Sequence, residues 1–170
     1  MLEPQIDQSA NESQSKELST LDKYDRNILN VLQRDGRVSY TDLGKKVGLT
    51  TTPCIERVRK LERAGFIKGY SARLSAQQLD AGLVVFVQVS LDRSSKQSFE
   101  SFRAAIQKLD QVQECYLVTG SFDFLVKARV KDMRAYRDFL EEELLAVAGV
   151  ADSTSIAAME TVKETLAIRV

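Results

Sequence analysis

The chain has 170 residues, 44% of them hydrophobic, with 24 basic and 24 acidic side chains and no histidine. That length suits two small domains, and no apolar run approaches the roughly 18 residues a membrane span needs. Cys54 and Cys115 are too few and too far apart for a disulfide framework, and without histidine neither a zinc site nor any other metal site is expected.

The zero net charge hides an uneven distribution. Residues 1–20 carry one base against four acids, residues 21–74 carry twelve against six, and residues 75–170 carry eleven against fourteen. A basic module of net charge +6 is thus joined to a mildly acidic one, the asymmetry expected when one half meets nucleic acid. Residues 1–20 are rich in Ser, Gln and Glu and nearly free of large apolar groups, so they are expected to form a disordered polar tail. No apolar segment follows a basic start, so no secretory signal is expected, and the predicted location is cytoplasmic.

Within residues 21–74, Asp22 is placed to cap a first helix with Asp25 in its first turn. Leu21, Tyr24, Ile28, Val31 and Leu32 recur on one face, and Asp35-Gly36 predicts the stop. Ser39 caps a short second helix, with Asp42 in the acidic capping-box position, Leu43 and Val47 buried and Gly48 at its end. A third helix starts near Pro53, capped by Thr50 or Thr52. At about 100° per residue, Cys54, Val58 and Leu61 share one face. Thr52, Glu56, Arg59, Lys60 and Arg63 fall on the other, with Arg57 at its edge, and Gly65 ends the helix.

Two helices joined by a tight glycine turn, the second basic on its outer face, predict a helix-turn-helix. Phe66, Ile67 and Tyr70 around Gly69 predict a short strand or wing. The competing reading is a solvated surface helix, with Glu56–Lys60 and Glu62–Arg59 or Glu62–Arg63 pairs worth only a few tenths of a kcal/mol each. The charge surplus and the Thr/Pro start favour the DNA reading.

Residues 75–82 are polar, end in Gly82 and read as a linker, with Ser75 placed to cap a tight turn. Residues 83–170 then alternate strand and helix signals. Leu83–Leu91, Val112–Thr119, Phe124–Val130 and Val150–Met159 read as strands, with Leu166–Val170 as a candidate fifth. A helical stripe of Phe99, Phe102, Ala105, Ile106 and Leu109 covers Lys96–Leu109. Asp132 caps a second helix with the stripe Met133, Tyr136, Leu140, Leu144 and Ala148. The class is α+β: a winged helix-turn-helix joined to a βαββαβ ferredoxin-like domain with both helices on one face of an antiparallel sheet. The Leu83–Leu91 strand has too few polar positions to leave the other face in water, so at least a dimer is expected.

With both halves read, the chain resembles the Lrp/AsnC (feast/famine) family of transcription regulators over about residues 21–165. The resemblance rests on LDKYDRNILNVLQRDGR (Leu21–Arg37), on VGLTTTPCIERVRKLERAGFIKGY (Val47–Tyr70) and on LVTGSFDFLVKARV (Leu117–Val130). It implies a winged helix-turn-helix on double-stranded DNA and a RAM/ACT-like domain that assembles homodimers into octamers or similar. It also implies an amino acid such as leucine bound between effector domains. Carried over by position, Thr51, Thr52, Glu56, Arg57, Arg59 and Lys60 would meet DNA, with Arg63 beside them on the outer face. Leu117, Gly120, Asp123, Met133, Leu145 and Ile156 would answer the ligand. Ser121 and the segment 156–158 depart from the family pattern near the implied pocket, which makes an amino acid other than leucine an alternative.

For an amino acid, Asp123 is suited to the ammonium and backbone N–H groups at Gly120 and Ser121 to the carboxylate. Leu117, Met133 and Ile156 would form the apolar wall. The alternative is that residues 120–123 form only a hairpin loop, with Asp123 bonded to its own backbone. No nucleophile motif, phosphate loop or metal cluster points to an enzyme, and no cofactor is expected. Cys54 and Cys115 read as packing residues. A constitutive architectural DNA-binding protein without ligand response is the alternative function.

Overall fold

The computed structural model describes residues 21–92 and 96–170; the polar stretch 1–20 lies outside the described residues. The described chain divides into two compact units, one closing at Ala72 and including Glu164–Val170, the other spanning Arg73–Lys163.

The first unit is three helices: α1 (Lys23–Leu32), α2 (Tyr40–Val47) and α3 (Thr51–Arg63). Local chemistry sets their ends. Asp22 caps α1, its Oδ1 accepting the Asp25 N–H at 2.9 Å. Ser39 caps α2 by accepting the Asp42 N–H at 3.1 Å, while its hydroxyl donates to the Asp42 carboxylate at 2.7 Å. That hydroxyl, with Lys45, holds the Asp42 carboxyl below the usual carboxylate range. Thr50 occupies the cap position of α3 without a side-chain capping bond. Ile28, Leu43, Val47, Cys54, Val58 and Leu61 form the core, each 5% exposed or less. Each large aliphatic side chain so buried contributes about 1.5–3 kcal/mol.

Several expectations are corrected here. The α1 helix ends at Leu32, with Gln33 as its right-handed cap, because backbone bonds from Arg34 and Asp35 to Val31 tighten the last turn. Gly36 is therefore not its left-handed terminator, whereas Gly48 and Gly65, both at φ +77, do end α2 and α3. Tyr24 is 40% exposed and lies off the core. The stretch Phe66–Tyr70 holds no strand: the Phe66 and Ile67 N–H groups both turn back to the Leu61 carbonyl, and their side chains pack under the helices.

The second unit contains β1 (Leu83–Leu91), α4 (Lys96–Ile106), β2 (Val112–Leu117), β3 (Phe124–Val130), α5 (Met133–Asp138), a π-helical continuation Phe139–Leu144, and β4 (Val150–Ala157). A tight turn precedes β1, with Ser75 Oγ accepting the Gln78 N–H. The strands form one antiparallel sheet in the order β2-β3-β1-β4, the ferredoxin-like arrangement. Val85, Val87, Val89 and Leu91 of β1 and Phe124, Val126, Ala128 and Val130 of β3 share one face, set by pairs such as Val87↔Val126. Against it pack Phe102 and Ile106 of α4 together with Tyr136, Phe139 and Leu144. The Phe102 and Phe124 rings lie 4.6 Å apart.

The opposite face presents Val84, Phe86 and Gln88 of β1, paired with Arg129, Lys127 and Leu125 of β3. Ile156 of β4 and Tyr116 of β2 flank them, 48% and 53% exposed. Lys127 and Glu114 form an ion pair of 2.7 Å across this face.

Here the helix after Asp132 departs from its predicted stripe. The buried residues are Tyr136, Phe139 and Leu144, while Met133 is 57% exposed. The Leu145 N–H bonds the Leu140 carbonyl, five residues back, so the π turn inserts one extra residue and lets Phe139 and Leu144, five apart, share the buried face. No strand forms over Leu166–Val170; instead the Ile168 N–H donates to the Gln33 side-chain oxygen at 2.9 Å.

Candidate nucleic-acid interface and effector site

The glycine turn between α2 and α3 fixes how the third helix is presented. A Cβ at Gly44 would stand 2.7 Å from the Leu49 carbonyl oxygen, whose neighbour Gly48 makes the left-handed turn. Cys54, Val58 and Leu61 hold one face of α3 against the core. Burial pushes the Cys54 thiol up, which keeps it protonated and inert.

On the other face Thr52, Glu56, Arg59, Lys60 and Arg63 are exposed and Thr51 half-buried. Glu56, Arg59, Glu62 and Arg63 line a shallow depression of about 350 Å³. The intrahelical pairs of the surface-helix reading do not form: Glu62 accepts the Tyr70 hydroxyl at 3.0 Å. The Arg63 Nε donates to the Arg59 carbonyl.

Arg57 is placed differently from its neighbours. Its guanidinium donates to Asp22 Oδ2 at 2.6 Å and to Asp25 Oδ1 at 2.7 Å, and lies 5.4 Å from the Tyr24 ring centroid. Asp25, 1% exposed, is the buried charge of this cluster. The Asp25 N–H and Arg57 hold the Asp22 carboxyl below its usual range, and the two carboxylates raise the guanidinium further. Sequence periodicity put Arg57 at the edge of the polar face and had no means of seeing its partners on α1.

The seven residues expected at an effector site fall into two groups. Leu117, Gly120, Ser121, Asp123 and Leu145 lie towards the Leu91 end of β1, since Leu117 pairs with Phe124 and Phe124 with Val89. Met133 and Ile156 lie towards its Leu83 end, Met133 just after Val130 and Ile156 paired with Phe86. Leu117 and Ile156 are on the two edge strands, three strand spacings (about 14 Å) apart across the sheet and offset along it by the three residues from Phe86 to Val89. Leu117, Met133, Leu145 and Ile156 are 40–57% exposed. Asp123 is 7% exposed, and its Oδ2 accepts the Leu91 N–H at 2.8 Å, tying the 120–123 loop to the end of β1. Gly120 has φ +134, a conformation that favours glycine.

Among the described residues no group of three or more His, Cys, Asp or Glu is placed to hold a metal. No helix of the described chain is long and apolar enough to cross a membrane.

Two family models match, an AsnC-type helix-turn-helix domain over residues 21–62 and the Lrp/AsnC ligand binding domain over residues 84–168. The chain belongs to the Lrp/AsnC family of transcription regulators. Proteins named leucine-responsive regulatory protein from Salmonella typhimurium and Escherichia coli K12 are each 56% identical over 144 residues, covering 85% of this chain and 88% of theirs. Among solved structures, a Neisseria meningitidis transcriptional regulator in complex with L-Met is 38% identical with a TM-score of 0.85, covering 88% of this chain and 96% of that one. Escherichia coli AsnC superimposes with a TM-score of 0.80 at 25% identity, covering 88% of this chain and 98% of that one. As a member of the Lrp/AsnC family the chain is a transcription regulator with a DNA-binding helix-turn-helix and an amino-acid-binding domain.

Proposed function

We propose that this chain is a sequence-specific regulator whose assembly or DNA affinity is set by a small amino acid such as leucine. The carrying observation is the outer face of α3, where Thr52, Glu56, Arg59, Lys60 and Arg63 stand free of the core that fixes the helix from behind. Thr51 and those five form the DNA-facing set, and Arg59 is the best placed to reach a guanine edge in the major groove. Lys45, Lys46 and Lys68 add phosphate contacts and counterion release, so with about six contacts affinity falls by about three orders of magnitude between low and moderate salt. One module reads few bases, and a homodimer holding two half-sites one turn apart supplies the rest of the affinity. Dimers joined into an octamer or similar ring would bend DNA, adding selectivity through deformability. Such a regulator works in the cytoplasm, associated with the nucleoid.

The effector pocket is composed between chains. Leu117, Gly120, Ser121, Asp123 and Leu145 of one chain and Met133 and Ile156 of another supply its lining, a reading supported by their separation at the two ends of one sheet. The loop at Gly120 and Ser121 offers backbone N–H groups to the ligand carboxylate, and Asp123 holds that loop while facing the ammonium. The names of the relatives support leucine, and the Neisseria complex supports methionine as a second member of the class. Ligand control requires the amino acid to prefer one assembly state.

Gel-shift titrations with and without leucine, alanine and methionine, paired with sedimentation, test the reading. A change of affinity or of mass with one amino acid is expected. Unaltered binding and mass with every amino acid would leave a constitutive architectural DNA-binding protein.

A further inference from the structure

Among the described residues of the first unit, the Arg57 cluster is the charged constellation that faces inward from the recognition helix. Asp25 is an acid with 1% of its surface exposed, and a buried carboxylate is tolerated only when its charge is met. Arg57 meets it at 2.7 Å, reaches Asp22 at 2.6 Å beside it, and lies over the Tyr24 ring. All three partners belong to α1 or its cap, so the planar guanidinium spans from the second turn of α3 to the first turn of α1. The apolar contacts of Cys54, Val58 and Leu61 set which face of α3 is buried, but the hydrophobic term is non-directional and holds the rotation of α3 about its axis only coarsely. A charged contact made from the edge of the polar face, in which the single nitrogen Nη1 donates to both carboxylates, fixes it.

We propose that Arg57 is a positioning residue of the recognition helix: clamped by Asp22 and Asp25, it sets the rotation of α3 and so aims Arg59 and Glu56 at base edges without itself touching DNA. The proposal rests on α3 being the DNA-reading helix. It separates Arg57 from Arg59, Lys60 and Arg63, which carry the same charge two, three and six positions along but point outward. The clamp is also self-neutralising, since its two carboxylates outweigh one guanidinium and leave no surplus positive charge for a phosphate.

The test uses the full chain and two duplexes, one enriched from a random pool by the wild-type protein and one scrambled, titrated by fluorescence anisotropy over a series of KCl concentrations. The variants are Arg57→Met, Asp25→Asn and Asp22→Asn; the last keeps a capping side chain and lies on an exposed residue, so it folds where the others fail. A positioning role lowers affinity for the enriched duplex by roughly tenfold in Arg57→Met and Asp25→Asn, the scale of one base-edge contact. Asp22→Asn moves the same way by less. Binding to the scrambled duplex and the salt slope stay at wild-type values. A salt slope lowered by about one on both duplexes in Arg57→Met would make Arg57 a phosphate contact. Tighter binding in Asp25→Asn or Asp22→Asn, from a guanidinium released towards DNA, overturns the proposal equally. If the wild-type chain enriches no sequence from the pool, the DNA-reading function itself fails, and the clamp is not what failed.

Discussion

At the scale of the residue, Asp123 carries the most consequence in the second unit. Its carboxylate accepts the Leu91 N–H where β1 ends, and its own N–H and carbonyl bond Val89 and Val118, so three backbone connections converge on one loop. Deleting the carboxylate leaves the Leu91 amide without that acceptor in a buried setting, which costs about 1–3 kcal/mol. Asp123→Ala should therefore lower the denaturant midpoint of the chain as well as blunting any amino-acid response, while Asp123→Asn should retain most of the stability. An Ala variant with a wild-type midpoint would show that the Leu91 bond contributes nothing. Arg57 teaches the complementary lesson. Its residue type and its place on a helical wheel read as one more basic group for DNA, whereas its partners are fixed by α1, thirty or more positions away in the chain.

At the scale of the element, the helix ends set by side chains were legible. Asp22, Ser39, Asp132, Gly48 and Gly65 act within three or four residues of themselves, and their chemistry is written locally. The π turn at Phe139–Leu144 was not legible, because a regular 100° step cannot place an extra residue, and packing of both Phe139 and Leu144 into the core decides the rotation. Nor did the pattern distinguish Gly44 from an ordinary mid-helix residue. Its neighbour in space is the Leu49 carbonyl, and added bulk there must push α2 away from the turn. Gly44→Ala is expected to destabilise the helix-turn-helix by about 1–3 kcal/mol, the cost of overpacking. Thermal melts followed by circular dichroism would check it, and a variant at least as stable as wild type would mean the turn relaxes freely.

At the scale of the whole molecule, the open face of the sheet sets the next prediction. Val84, Phe86, Leu125, Tyr116 and Ile156 give it an apolar character, crossed by the Lys127–Glu114 pair. If a second chain covers it, Phe86→Asp places a charge in the contact and should shift the sedimentation profile to lower mass, with affinity for a two-half-site duplex falling in parallel. An unchanged mass would put the interface elsewhere.

The sequence by itself determined the class and order of the elements, because hydrophobic period, caps and glycine stops act over a few residues. It also determined the resemblance to the Lrp/AsnC family, carried by motifs in both halves. Tertiary structure alone decided which charged groups of α3 face outward and which is clamped to α1. It likewise decided that Leu166–Val170 joins no sheet and that the effector residues fall at two ends of one. Those outcomes depend on partners distant along the chain, and a periodic pattern holds no record of distance in space.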